Sequence, residues 1–186
     1  MRNISYITIV MRKHNGMRPQ DIAILLKIIA LEKSNWQIIE LANSLFISIS
    51  EISESLNRSR TGGLIDYNKK LINRQSLFEF LIHGVKYVFP AQMNSLGRGI
   101  PTAYSHPFMQ QYFQGDTPYI WGDPRGNMLG ISLEPFYPKQ VEAAKKDIVF
   151  YKLLALVDVI RIGRIREQNV AIKELEKMIL HANPSN

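Results

Sequence analysis

Polar side chains are concentrated on one side of a short predicted helix that begins after Ser48. Ser48-Ile49-Ser50-Glu51 has the pattern of a capping box, in which the Ser48 hydroxyl and the Glu51 carboxylate accept hydrogen bonds from backbone N–H groups. The apolar residues of the helix occupy its inward side, so the outward side is polar: Ser50, Glu51, Ser53, Glu54, Asn57 and Arg58. These groups donate and accept hydrogen bonds, which suits recognition of a polar partner.

Residues for covalent or metal chemistry are sparse. The chain of 186 residues has no Cys, which excludes disulfides and thiolate ligands. Asp116 and Asp123 fit turns, and no Ser-centred elbow is present. The histidines are too scattered to predict a metal site: His14, His83, His106 and His181. We therefore expect no enzyme activity, no metal and no cofactor.

Two helices precede the polar helix and position it. Pro19 is suited to the first helical position, and Pro19–Lys33 carries apolar residues at three- and four-residue steps, which predicts a core-packing helix. Ser34 or Asn35 can cap the second helix, where we expect Trp36 to anchor the core. The polar helix starts two or three residues after the second one stops, so the two meet at a large angle.

A basic hairpin is predicted after the polar helix. Gly62-Gly63 can end the helix, and Leu64–Tyr67 and Leu71–Asn73 are short enough for two strands. Asn68-Lys69-Lys70 forms the tip between them. Two interpretations stay open: Lys69, Lys70 and Arg74 contact phosphates, or the hairpin is simply solvated.

Several of these positions resemble a known pattern. Leu41-Ala42, Leu45, Ile47-Ser48, Ser50-Glu51-Ile52-Ser53 and Leu56 resemble the helix-turn-helix of bacterial transcriptional regulators. Gly63-Leu64-Ile65 resembles the entry to the wing in winged-helix regulators, including the MarR type, and the resemblance covers Met17 to Ile72. Phe46 stands where that pattern commonly has Gly, so we expect a tilted turn or an aromatic ring in the core.

A second resemblance extends over most of the chain. Three segments of the chain are similar to a bacterial family of uncharacterised helix-turn-helix proteins. They are His83–Ala91, Arg98–Pro107 and Leu153–Glu167. This family implies no reaction.

The winged-helix resemblance implies binding of double-stranded DNA, with helix 49–60 in the major groove. The base contacts it implies are Ser50, Ser53, Glu54, Asn57 and Arg58, with Glu54 preferred to Glu51 because Glu51 belongs to the cap. The backbone contacts are Ser48, Arg60, Lys69, Lys70 and Arg74. The net charge of +7 suits a polyanionic partner. Most of this excess lies between Met1 and Met93, with 12 Lys/Arg against 7 Asp/Glu.

Four regions follow from the distribution of residue types. Residues 1–16 form an N-terminal arm with a short strand at Ile4–Val10, and residues 17–90 form the winged helix-turn-helix domain. Within that domain we expect a helix at Ser76–His83 and a buried strand at Val85–Phe89. Residues 91–138 are rich in Gly, Pro and aromatics, and residues 139–186 form a C-terminal helical region. The predicted fold class is mainly α with small β elements (α+β).

The middle region is predicted to wrap irregularly against the helices. Aromatic residues give it too much apolar surface for a disordered linker. Tyr119–Trp121 and Met128–Leu133 flank Gly122–Asn127, which predicts a hairpin with Pro124 early in its turn.

The C-terminal helices are predicted at Lys139–Phe150, Tyr151–Ile162 and Arg164–His181. Their apolar residues exceed what one small winged domain covers, so we expect them to pack on the middle region and to form a homodimer. Arg161, Arg164 and Arg166 cluster with Asp158 and Glu167. The cluster forms a salt-linked polar face, a second phosphate-contacting patch or a binding site for an acidic partner.

The predicted function is a dimeric DNA-binding transcriptional regulator. The alternative is a protein-interaction module, such as an antitoxin or adaptor, that uses the winged domain as a scaffold. We expect a cytoplasmic protein, because no apolar run approaches the roughly 20 residues that span a bilayer. A small-molecule pocket between the winged domain and the C-terminal helices is also open.

Overall fold

The computed structural model describes residues 16–181 except residue 34 and residues 114–116. The predicted arm strand at Ile4–Val10 and the residues Ser34 and Asp116 lie outside this part of the chain. The helices before the sheet are α1 (Pro19–Leu31), α2 (Ile38–Leu45), α3 (Ile49–Thr61), α4 (Arg74–Glu79) and α5 (Val85–Val88). A short α6 (Pro107–Gln110) lies between strands, and α7 (Gln140–Ala144), α8 (Ile148–Ile162) and α9 (Ile165–Leu180) follow them.

Helix α1 lies at the centre of the N-terminal half. Pro19 occupies its first turn, and the Asp21 carboxylate accepts a hydrogen bond from the Arg18 backbone N–H at 2.8 Å. Every residue from Asp21 to Ile29 is buried, so the helix is enclosed on all sides instead of presenting the single apolar stripe that was predicted. It ends at Glu32, which adopts a left-handed conformation with φ of 50°.

Helices α4 and α5 form one continuous rod, because a π-helical segment at Phe80–Gly84 joins them. The predicted strand at Val85–Phe89 is therefore wrong. Leu81 and Val85 are both fully buried, on the same face of this rod. Gly84 leaves room for the Phe80 ring in this π-helical turn, since a Cβ there would lie 3.1 Å from the ring.

Among the residues that the structure describes, the sheet has three strands, β1 (Met93–Pro101), β2 (Tyr119–Gly122) and β3 (Met128–Leu133). Strand β1 pairs antiparallel with both others, and β2 pairs with β3 in parallel, so the sheet closes on itself. The predicted hairpin between β2 and β3 is therefore not formed, although both strands exist where they were expected. Their connection crosses β1 so closely that a Cβ on Gly126 would lie 2.2 Å from the Gly99 backbone.

Helix α8 joins the two halves of the chain. Its residues from Leu153 to Ile160 are all buried, against α1, α9 and the 3-10 turn at Ala103–Ser105. Asp147 caps its first turn by accepting from the N–H groups of Val149 and Phe150. The other Asp147 oxygen pairs with Lys27 of α1 at 2.6 Å. Gly163 ends the helix, at the boundary predicted between Ile162 and Arg164.

The sheet is attached to α8 through a buried carboxylate. Asp158 accepts hydrogen bonds from Thr102 and Trp121, each at 2.8 Å, and from the Arg161 guanidinium at 2.8 Å. Burial raises the pKa of Asp158, and Arg161 opposes that shift. Arg161 also donates to the Phe89 carbonyl oxygen at the end of α5. The salt-linked interpretation of the cluster is thus confirmed for Arg161 and Asp158.

A single apolar core runs through the N-terminal helices, the sheet and the C-terminal helices. The chain is an α+β protein, rich in helix with a small sheet, as predicted. The apolar surface of the C-terminal helices is covered largely within the chain itself. No helix in the described ranges is long and apolar enough to cross a membrane.

Candidate nucleic-acid interface

The turn between α2 and α3 sets the orientation of the polar helix. Phe46 ends α2 in the left-handed conformation, with φ of 56°, and its N–H and that of Ile47 both donate to the Ala42 carbonyl oxygen. Gly adopts this conformation without steric cost, which explains why a Gly is common at this position in the pattern that the sequence resembles. The Phe46 ring does not enter the core: the residue is 39% exposed, and the Lys146 ammonium lies 4.5 Å from the ring centroid.

Helix α3 begins immediately after this turn, and half of the predicted capping box is formed. The Ser48 hydroxyl accepts from the Glu51 N–H at 3.2 Å. The Glu51 carboxylate accepts from the Gln20 side chain at 2.9 Å and lies 3.9 Å from the Arg18 guanidinium. It therefore ties α3 to the start of α1, and no hydrogen bond from the Ser48 N–H to Glu51 is formed.

Arg58 is the main correction to the predicted base-reading set. It was expected on the outer face, but its side chain is only 8% exposed and forms a two-bond ion pair with Asp21 of α1. Its Nε and Nη2 atoms donate to the two Asp21 oxygens at 2.8 Å and 2.7 Å. This hydrogen bonding raises the pKa of Arg58. The guanidinium is consequently a structural link between two helices.

The other predicted base-reading residues lie toward solvent. Ser50 and Glu54 are exposed, and Ser53 and Asn57 are half-buried. Asn57 contacts the hairpin, because its side-chain oxygen accepts from the Lys69 ammonium at 2.7 Å. A polar helix face and the hairpin tip therefore lie side by side.

The hairpin is small and firmly held. Ile65 and Ile72 form an antiparallel bridge, and the Asp66 carboxylate accepts from the N–H groups of Lys70 and Leu71. These backbone hydrogen bonds lower the pKa of Asp66. Lys69 at the tip has a left-handed φ of 57°.

Lys70 and Arg74 were predicted to contact phosphates, but both interact within the chain. The Lys70 ammonium donates to the Trp36 carbonyl oxygen at 3.0 Å and lies 4.8 Å from the centroid of the Trp36 ring. Trp36 itself is buried, as predicted, and its indole N–H donates back to the Lys70 carbonyl oxygen. Arg74 donates to the Ile179 carbonyl oxygen near the end of α9, and burial lowers its pKa.

A cavity of about 190 Å³ separates the hairpin tip from α2 and α3. Trp36, Ile38 and Leu56 supply apolar surface, and the polar members of its lining are Ser53, Asn68, Lys69 and Lys70. The structure thus brings together Ser53, Asn57 and Lys69 from the predicted set. Arg58 and Arg74 are not part of this group, because they bond to Asp21 and to the Ile179 carbonyl oxygen.

Two cations beside this surface were missed at the level of sequence. Lys146 follows α7, which packs against α2, and it reaches the exposed ring of Phe46. Arg18 precedes α1 and is about half exposed near Glu51. In the sequence, Lys145-Lys146 stands out as a local pair of positive charges, whereas Arg18 does not. The pair lies about 100 residues from α2, so the sequence did not place it beside that helix. The predicted Arg60 lies 5.4 Å from the ring centroid of exposed Tyr67.

The candidate interface combines polar groups on α3 with neighbouring positive charges, which are those of Arg18, Arg60, Lys69 and Lys146. Among the described residues, no group of three or more His, Asp or Glu side chains is placed to hold a metal ion. Comparison with family models, with curated proteins and with solved structures found no match to this chain.

Proposed function

We propose that the chain is a DNA-binding transcriptional regulator of winged helix-turn-helix type that acts as a homodimer. One observation carries this proposal: the 2.7 Å hydrogen bond between Lys69 and Asn57 holds a hairpin cation beside the solvent-facing side of α3. The Lys69 charge, which would bind a phosphate, and the α3 side chains, which would read base edges, then lie on the same side of the protein.

The contact set differs from the one predicted by sequence. Ser50, Ser53, Glu54 and Asn57 are proposed to read base edges, with the Glu54 carboxylate accepting from a cytosine amino group. Ser48, Arg60 and Lys69 are proposed to contact the backbone, together with Arg18 and Lys146. Arg58, Lys70 and Arg74 are left out: Arg58 is buried against Asp21, and the other two donate to backbone carbonyl oxygens of Trp36 and Ile179. The bond between Lys69 and Asn57, in contrast, joins two members of the proposed contact set.

The test is fluorescence anisotropy with labelled duplexes from the DNA upstream of the chain's own gene, across a salt series. Each lost phosphate contact lowers the slope of log K against log salt by about 1. Lys69→Ala is expected to lower the slope by that amount, whereas Lys173→Ala, an exposed lysine on α9, leaves it unchanged. Absence of binding to any duplex at low salt contradicts the proposal.

Glu54→Gln separates base reading from simple repulsion. If Glu54 accepts from a cytosine amino group, the variant changes the preference at one base pair, by about 1–3 kcal/mol. If Glu54 only repels the backbone, the variant strengthens binding to every sequence alike. Competition with duplexes altered at single positions distinguishes the two results.

A second candidate function rests on a different observation. Ile39, Phe46 and Ile49 are large apolar residues around the α2–α3 turn, and they are 47%, 39% and 51% exposed. Such clustering favours a protein partner at the same surface, as in an antitoxin or adaptor. Stoichiometric copurification that Ile49→Ser abolishes, in a protein without DNA affinity, supports this function over DNA binding.

The homodimer is tested independently by light scattering coupled to size-exclusion chromatography. A mass of twice the 21.4 kDa chain is expected at micromolar concentration. A monomer at all concentrations removes the dimer from the proposal and leaves the DNA contacts of one chain to be tested as above.

A further inference from the structure

A large cavity lies away from the candidate DNA surface, between the aromatic part of the middle region and the junction of α8 with α9. Its volume is about 630 Å³, within the range of small-molecule binding sites. The sequence left a small-molecule pocket open but did not place one here.

One wall of the cavity is aromatic. It contains Tyr104, Tyr112, Phe113 and Tyr119. Tyr104 and Tyr119 pack edge to face with ring centroids 5.0 Å apart, whereas Tyr112 is 54% exposed. Solvent-accessible rings of this kind provide faces on which a planar base stacks.

A second part of the cavity lining is formed by the beginning of α9 and is cationic. Arg164 is the residue before the helix, and Arg166 lies in its first turn. The N–H groups and the dipole of this 16-residue helix favour an anion at the same end. The Arg166 guanidinium also lies 5.8 Å from the centroid of the Phe113 ring, so the charge adjoins the aromatic wall. Guanidinium groups bind phosphate oxygens through paired hydrogen bonds.

Glu167 supplies the third group. One oxygen of its carboxylate is shielded from solvent and accepts no hydrogen bond from the part of the chain that the structure describes. The residue as a whole is half-buried in the cavity lining, and a carboxylate there can accept from a ligand that brings an N–H or O–H group. Tyr104 adds a neutral phenol, since burial raises its pKa to about 12, and its hydroxyl donates to the Thr117 carbonyl oxygen.

We infer that this cavity binds a nucleoside monophosphate. The base stacks on the tyrosine rings, the phosphate binds at Arg164 and Arg166, and a ribose hydroxyl or base N–H donates to Glu167. Inorganic phosphate leaves the aromatic wall and Glu167 unused. An organic ammonium ion uses the rings and the carboxylate but is repelled by the two arginines.

The inference is tested by titration calorimetry of the full chain with AMP, GMP, CMP and UMP, the corresponding nucleosides, inorganic phosphate and choline. At least one nucleotide is expected to bind 10-fold or more tightly than its nucleoside and than phosphate. Replacing both arginines (Arg164→Gln with Arg166→Gln) is expected to abolish that preference. Tyr112→Ala is expected to weaken binding of the nucleotide about 5- to 150-fold, as for loss of one base-stacking contact.

Two exposed residues serve as matched controls. Tyr87→Ala removes a tyrosine that is 74% exposed on α5, and Lys173→Gln removes an exposed charge from α9. Both are expected to bind like the wild type, and circular dichroism checks that every variant is folded.

The inference is overturned if nucleosides bind as tightly as nucleotides, if choline or phosphate binds more tightly, or if Tyr112→Ala behaves like Tyr87→Ala. It is also overturned if a short single-stranded oligonucleotide displaces the mononucleotide at lower concentration, because the site is then a strand-binding groove. The assay contains no duplex DNA, so its result is independent of the proposed function.

Discussion

Replacing Arg58 with methionine removes the charge from a buried ion pair and keeps much of the side-chain volume. Asp21 is fully buried, and the substitution deletes the two hydrogen bonds of 2.7 and 2.8 Å that Arg58 donates to it. Within the described part of the chain, Asp21 then retains one hydrogen bond, from the Arg18 N–H. Removal of one partner from a buried pair costs about 3–5 kcal/mol of unfolding free energy. For a chain of this size, that corresponds to a decrease in Tm of about 10 °C.

The assay is urea unfolding followed by circular dichroism, with a double variant and a control. Asp21→Asn combined with Arg58→Met removes both charges, and most of the lost stability is expected to return because no unpaired ion is left. Arg60→Met, two residues further along α3, is expected to cost less than about 1 kcal/mol since its guanidinium contacts only an exposed tyrosine ring.

DNA binding distinguishes the structural role of Arg58 from a base-reading role. At a temperature where the variant is folded, Arg58→Met is expected to keep the discrimination between DNA sequences. The reasoning is refuted if Arg58→Met is as stable as Arg60→Met and loses discrimination at one base pair.

Two further predictions concern the helix turn and the middle region. Phe46→Gly is expected to be more stable than Phe46→Ala by about 1 kcal/mol, because only Gly accepts the left-handed φ of 56° without strain; equal urea midpoints contradict this. Burial lowers the pKa of His106 to about 4, so between pH 6.5 and pH 4 the unfolded chain binds a proton that the folded chain does not. Stability due to His106 is therefore complete above pH 6.5 and falls with decreasing pH, by about 3 kcal/mol in total. His106→Asn preserves an acceptor for the Phe108 N–H and does not titrate, so its unfolding free energy is expected to change less over this pH range; parallel pH profiles contradict the assignment.

The helices around the candidate interface could be predicted because their signals are local. Pro19 marks the start of α1, and Ser48 caps α3 by accepting from an N–H three residues away. The exposure of Ser50 and Glu54 follows from the same local pattern, since Ile52 and Leu56 are buried beneath them.

The errors occurred where distant residues decide the structure. The carboxylate that withdraws Arg58 from solvent lies 37 residues away in sequence, and the carbonyl that Arg74 contacts lies 105 residues away. In the sheet, Met93–Pro101 contains two glycines and a proline, so it has a weak strand signal of its own. It becomes a strand because β2 and β3 both pair with it, and without it those two strands resembled a hairpin.

Helix α9 connects the aromatic cavity with the region next to the hairpin of the candidate DNA surface. Its first turn lines the aromatic cavity, and its last turn holds Arg74 through the Ile179 carbonyl oxygen. At 1.5 Å per residue its 16 residues span about 24 Å. Arg74 directly follows Asn73, whose N–H and side chain bond to the first strand of the hairpin and to Gly63. Helix α9 therefore contacts both the aromatic cavity and the residue that follows the hairpin.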